Sequence, residues 1–83
     1  MKKPLLLKEE LTELGFTIKG TFPLEDGDYY TWFCLKKNDS EIHITYEYNR
    51  KAELTSYSVE FNTETLKGRN LTKEDIILLI EIM

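Results

Sequence analysis

The chain has 83 residues, of which 41% are hydrophobic and 31% charged, enough for one hydrophobic core and too apolar for a disordered segment. Eleven Lys and Arg against fifteen Asp and Glu give a formal net charge of -4. No basic run exceeds Lys36-Lys37 or Arg50-Lys51, which weighs against nucleic acid as a partner.

The single cysteine, Cys34, excludes an internal disulfide framework and fits a reducing, cytoplasmic setting. Met1-Lys2-Lys3 followed by Leu5, Leu6 and Leu7 imitates the opening of a signal peptide, but Lys8, Glu9 and Glu10 end the apolar run early. No run approaches the roughly 20 apolar residues of a membrane span, so a membrane is not expected as a partner.

Residues 5–14 place Leu7, Leu11 and Leu14 at helical spacing among charged residues, with Pro4 suited to the first turn and Gly15 to a left-handed C-cap. From Phe16 the period falls to two: Phe16, Ile18, Gly20 and Phe22 alternate with Thr17, Lys19 and Thr21, ending at Pro23 and a turn at Asp26-Gly27. A second strand, about 29–37, is apolar on both sides, with Tyr29, Tyr30, Trp32, Phe33, Cys34 and Leu35.

The third strand alternates Ile42, Ile44, Tyr46 and Tyr48 against Glu41, His43, Thr45 and Glu47. A fourth follows the Asn49-Arg50-Lys51 turn, with Tyr57, Val59 and Phe61 on one face and Leu54 out of phase. After a polar loop over 62–70, Thr72 is placed to cap a last helix with Asp75 returning the bond and Leu71 stapling onto Ile76; Ile76, Leu79, Ile80 and Met83 would face the core.

Turn parity ties these strands together, because a slip of one residue would turn every side chain to the other face. Pairing Lys37 with Ser40 sets Leu35 against Ile42 and Phe33 against Ile44. Pairing Asn49 with Ala52 sets Ile44 against Tyr57 and Ile42 against Val59. Pairing Phe22 with Tyr29 sets Ile18 against Phe33 and Phe16 against Leu35. The expected fold is α+β, of order α-β-β-β-β-α: a single domain over residues 1–83, a four-stranded antiparallel meander with N- and C-terminal helices packed on one face.

That register exports Tyr30, Trp32, Cys34 and Lys36 to the other face, flanked by Thr17, Lys19 and Thr21 and by His43, Thr45 and Glu47. Exposed aromatics at low rotamer cost mark partner surfaces, so Lys19, Tyr30, Trp32, Cys34, His43, Thr45 and Glu47 are the expected partner-binding residues. The competing reading is that the last helix or the 62–70 loop covers Trp32, or that a bulge swaps the faces.

Cys34 and His43 emerge as cross-strand neighbours, but with no third orienting group they read as a small apolar residue beside a solvated imidazole, and no catalytic residue is assigned. Cys34, His43 and Glu47 lack a recognised metal-binding spacing, so no metal or cofactor is expected. Glu9-Glu10, Glu25-Asp26 and Glu74-Asp75 fall on a helix face, a turn and a helix start, and the scattered glycines form no phosphate loop. The run Ile76-Ile77-Leu78-Leu79-Ile80-Glu81-Ile82-Met83 is apolar around most of a helix, which leaves side chains for a homodimer or partner contact.

These observations specify a fold more sharply than an activity. The expected function is a non-enzymatic protein–protein interaction module, or a small accessory protein of bacterial or phage type, acting through the open sheet face or the C-terminal helix. The alternative is a sheet that binds a ligand or nucleic acid with Tyr30 and Trp32 as stacking platform, disfavoured by the carboxylates expected beside them.

Overall fold

The computed structural model describes residues 5–66 and 71–83. They form helix α1 (Lys8–Leu14), strands β1 (Thr17–Pro23), β2 (Tyr29–Lys37), β3 (Ser40–Tyr48), β4 (Leu54–Phe61) and β5 (Glu64–Thr65), and helix α2 (Lys73–Ile82). The strands make one antiparallel meander in the order β1-β2-β3-β4-β5, with both helices on one face, close to the expected architecture. Pro4 and the end of the expected 62–70 loop lie outside the described residues.

The core lies between that face and the helices. Phe33 of β2, Ile42, Ile44 and Tyr46 of β3 and Leu54 and Val59 of β4 are buried against Leu6, Leu11 and Phe16 from the N-terminal part and Ile76 of α2. Burial of Leu- and Ile-sized side chains contributes about 1.5–3 kcal/mol each, the main stabilising term in so short a chain.

The first helix starts later than the spacing predicts, at Lys8. Leu6 is drawn into the core before the helix begins, and the Tyr46 hydroxyl donates to Leu6 O at 2.8 Å while accepting from Leu6 N at 3.0 Å. Leu7 is therefore the extended residue ahead of the helix, 55% exposed rather than in the core, its N–H donating to Glu10 Oε1 at 2.9 Å. Gly15 closes the helix in the left-handed conformation at φ 102°. In α2, Thr72 Oγ1 accepts from Asp75 N at 3.2 Å and Thr72 N donates to Asp75 Oδ2 at 2.8 Å, the reciprocal cap anticipated from the sequence.

The β2–β3 register is the expected one, with Leu35 opposite Ile42 and Phe33 opposite Ile44. Asn38 and Asp39 close the turn at φ 49° and 67°, the doubly positive combination whose twist suits a two-residue hairpin.

Three details depart from expectation. First, β1 pairs Ile18 with Phe33 as predicted, but a bulge between Ile18 and Gly20 shifts the rest, so Phe22 faces Tyr30 instead of Tyr29. Gly20 sits at φ 142°, a conformation L side chains rarely adopt. The single extra residue turns Phe22 out of the core and carries Thr21 to the helix side, where its hydroxyl bonds that of Thr31 at 2.9 Å.

Second, β4 is offset by two residues: Ile44 faces Val59 and Ile42 faces Phe61. Asn49 builds a longer turn than a pairing with Ala52 allows, its Oδ1 accepting from Lys51 N and Glu53 N and its own N–H donating to Glu53 O. An even offset keeps every side chain on its face. A further irregularity sets Tyr48 opposite Leu54, which brings Leu54 into the core and accounts for its broken phase. Third, Asn62-Thr63, at φ 50° and 73°, turns the chain into the two-residue β5, where a loop was expected. Asn62 also continues β3 pairing, its Oδ1 accepting from Glu41 N at 2.8 Å and its N–H donating to Glu41 O at 2.9 Å.

Candidate functional site

Pleating sends Tyr30, Trp32, Cys34 and Lys36 of β2 and Glu41, His43, Thr45 and Glu47 of β3 to the face opposite the helices. Neither helix covers Trp32: both pack on the other side, and the bulge in β1 leaves the orientation of β2 unchanged. Trp32 and Tyr30 are half-buried, and among the described residues both helices lie on the opposite face.

The bulge enlarges this face. Phe22, 42% exposed, brings its ring centroid to 5.4 Å from that of Tyr30, and Trp32 lies 5.1 Å from the His43 ring. Phe22, Tyr30, Trp32, His43, Thr45 and Glu60 together line a shallow depression. The sequence omitted Phe22 from the site because strict alternation assigns it to the core; the signal that finds it is Gly20, a residue that inside a strand marks a bulge.

Charge is divided across the face. Cations lie toward β1 and β2, on Lys19 in the bulge and on Lys36. Carboxylates lie toward β3 and β4, on Glu41, Glu47 and Glu60. Lys36 Nζ is 3.9 Å from Glu41 Oε2, a loose pair with the ammonium exposed, and Glu47 Oε2 accepts from Ser56 Oγ at 3.0 Å. Lys19 is exposed at the shift point, and of its expected row-mates Thr17 stays on the outward face opposite Cys34 while Thr21 passes to the helix side.

Cys34 is 4% exposed although it belongs to the open face. Burial pushes its thiol pKa up and the neighbouring Glu41 carboxylate adds to this, against smaller opposing effects of Lys19 and Lys36. It stands directly opposite His43, as the sequence predicts, yet a thiol held protonated lacks the activated form a nucleophile requires. The acidic neighbour of this pair is Glu41, whose Oε1 lies 3.4 Å from His43 Nε2; Glu47, the carboxylate singled out in the sequence, is bonded to Ser56 two strand positions beyond Thr45.

Two further surfaces stand out. Along α2, Leu78 and Ile82 are 58% and 72% exposed at one-turn spacing, the apolar surplus anticipated in that helix. Beside the start of α1, a groove of about 500 Å³ opens on the helix side, walled in part by Ile18 and by the stacked rings of Tyr29 and Tyr48 at 5.1 Å. No helix among the described residues is long and apolar enough to cross a membrane. In comparisons with protein families, curated proteins and solved structures, nothing matches the chain.

Proposed function

We propose that the protein is a non-enzymatic interaction module that pairs with a second copy of itself through the open sheet face. The observation that carries this reading is the partition of that face: aromatics and cations on β1 and β2, hydroxyls and carboxylates on β3 and β4. Rotating a second copy by a half-turn about an axis parallel to the strands lays β2 of each chain over β3 of the other. Lys36 then meets Glu41, Trp32 meets Thr45 and Tyr30 meets Glu47, each contact occurring twice, as an isologous interface requires. Aromatic anchors ringed by complementary charge are the usual make-up of such a contact.

The sheet edge supports the same choice. The free edge of β1 carries a bulge, Lys19 and a terminal Pro23, three features that discourage strand-to-strand addition and so favour association by the face. The carboxylates of Glu41, Glu47 and Glu60 oppose a phosphate-bearing ligand on the same aromatics.

Light scattering over a concentration series tests this, on the wild type, Trp32→Ser, Phe22→Ser and a Leu78→Glu/Ile82→Glu control, each checked for folding by circular dichroism. The expected result is a wild-type dimer that becomes a folded monomer in Phe22→Ser and Trp32→Ser but persists in the α2 control. A dimer lost only in the control would move the contact to α2. A wild-type monomer at every concentration overturns self-association, and a salt-sensitive shift with an oligonucleotide would replace it with the stacking-platform reading.

A further inference from the structure

Cys34, Glu41 and His43 gather three different metal-ligating groups on the open sheet face. One thiol sulfur, one imidazole nitrogen and one carboxylate oxygen lie with no two more than 4.8 Å apart. Zinc bond lengths of about 2.0–2.3 Å put neighbouring ligands of a tetrahedral ion roughly 3.3–3.8 Å apart. His43 Nε2 and Glu41 Oε1 already stand at 3.4 Å, inside that range.

We propose that Cys34, Glu41 and His43 bind a zinc-class divalent cation, with the fourth coordination position open to water. A thiolate, an imidazole and a carboxylate on three sides match the preferences of zinc and cobalt(II), and the thiolate disfavours magnesium and calcium.

The surroundings hold the donors in place. Cys34 and His43 are opposite partners in the two central paired strands, and Glu41 is two residues from His43 on the same face of β3. Sites built on paired strands are more precisely positioned than sites on loops. Trp32 lies against the His43 ring, and Asn62 pins the backbone of Glu41 from both its N–H and its carbonyl. Lys36 approaches Oε2 of Glu41, which leaves Oε1 for the ion. All three donors come from one chain, so a single copy supplies the whole set.

Cobalt(II) titration of the reduced full-length chain tests it, because a cobalt–thiolate bond adds charge-transfer absorption in the near ultraviolet and a tetrahedral ion adds intense visible bands. The expected result is one equivalent bound per chain, displaced by zinc, with the thiolate band absent in Cys34→Ser. His43→Ala and Glu41→Gln alter partly exposed side chains, and are expected to keep the fold and to weaken binding at least about tenfold each. Absence of a thiolate band at saturating cobalt overturns the proposal, as does wild-type affinity in either of those two variants. Should Cys34→Ser fail to fold, these two and the wild-type spectrum decide the matter.

Discussion

Tyr46 does more than fill space. Its hydroxyl serves both the N–H and the carbonyl of Leu6, so the segment leading into α1 is moored at the centre of β3 by two bonds from one atom. Tyr46→Phe keeps the ring and strands a buried N–H and a carbonyl, for which a loss of about 1–3 kcal/mol in a urea or thermal unfolding experiment is expected. Burial also pushes the Tyr46 phenol up to about 12, against the lowering effect of its bond to Leu6. The unfolded chain releases this proton near pH 10 and the folded chain near 12, so the unfolded state binds fewer protons in between and stability falls as pH rises through that window, by at most about 1.4 kcal/mol per pH unit. Tyr46→Phe should flatten this alkaline decline; an unchanged alkaline limb would assign it to other groups. At Cys34 the raised thiol pKa predicts slower alkylation by iodoacetamide at neutral pH than a free model thiol, and faster alkylation would revive a nucleophilic role.

The bulge in β1 decides what the open face contains. With regular pairing Phe22 is a core residue; with one extra residue it joins Tyr30 outside. A Cβ on Gly20 would meet the Phe22 ring at 3.2 Å while the backbone stays at φ 142°. Gly20→Ala should therefore cost about 1–2 kcal/mol, measured by thermal unfolding, and should weaken self-association because the Phe22 ring must shift. A variant of unchanged stability would show that the bulge tolerates a side chain. The same element marks where the sequence was legible and where it was not. Helix caps at Gly15 and Thr72 and the Asn38-Asp39 hairpin follow from local chemistry, and face assignment for β2 and β3 follows from period two. Bulges break strict alternation, so the placement of Phe22 and Leu54 was not readable from period two alone, although Gly20 marks the bulge in β1. The Asn62-Thr63 turn lacks the glycine that usually announces such a hairpin. Glu41 escaped notice as a neighbour of Cys34 because it sits diagonally across β2 and β3, a proximity that register and side-chain direction create together.

Over the whole molecule, the two helices share one sheet face although they lie at opposite ends of the chain. The α1 helix has seven residues, too few to be stable alone, so it persists through what it touches: Leu11 in the core, the Leu6–Tyr46 bonds, and an ion pair from Glu10 Oε2 to Lys73 Nζ at 2.5 Å on α2. Glu10 is held below its usual carboxylate pKa first by the Lys73 hydrogen bond and then by the Leu7 N–H, and Lys73 is raised in turn by Glu10. A carboxylate with a depressed folded-state pKa stabilises the protein above its unfolded value of 4.5, and that contribution disappears as pH falls through the folded value. The pair is solvent-exposed, so its effect on overall stability is small and screened by salt. Its effect on α1 should be easier to see, because the helix has few other attachments. Hydrogen exchange on Glu10→Gln is expected to speed the amides of α1 while leaving those of β2 and β3 unchanged. In the wild type the same acceleration should appear on acidification below about pH 4.5, once the intrinsic pH dependence of exchange is divided out. Equal acceleration in β3 would mean that α1 and the sheet open as one unit and that the ion pair links two ends of a single cooperative structure.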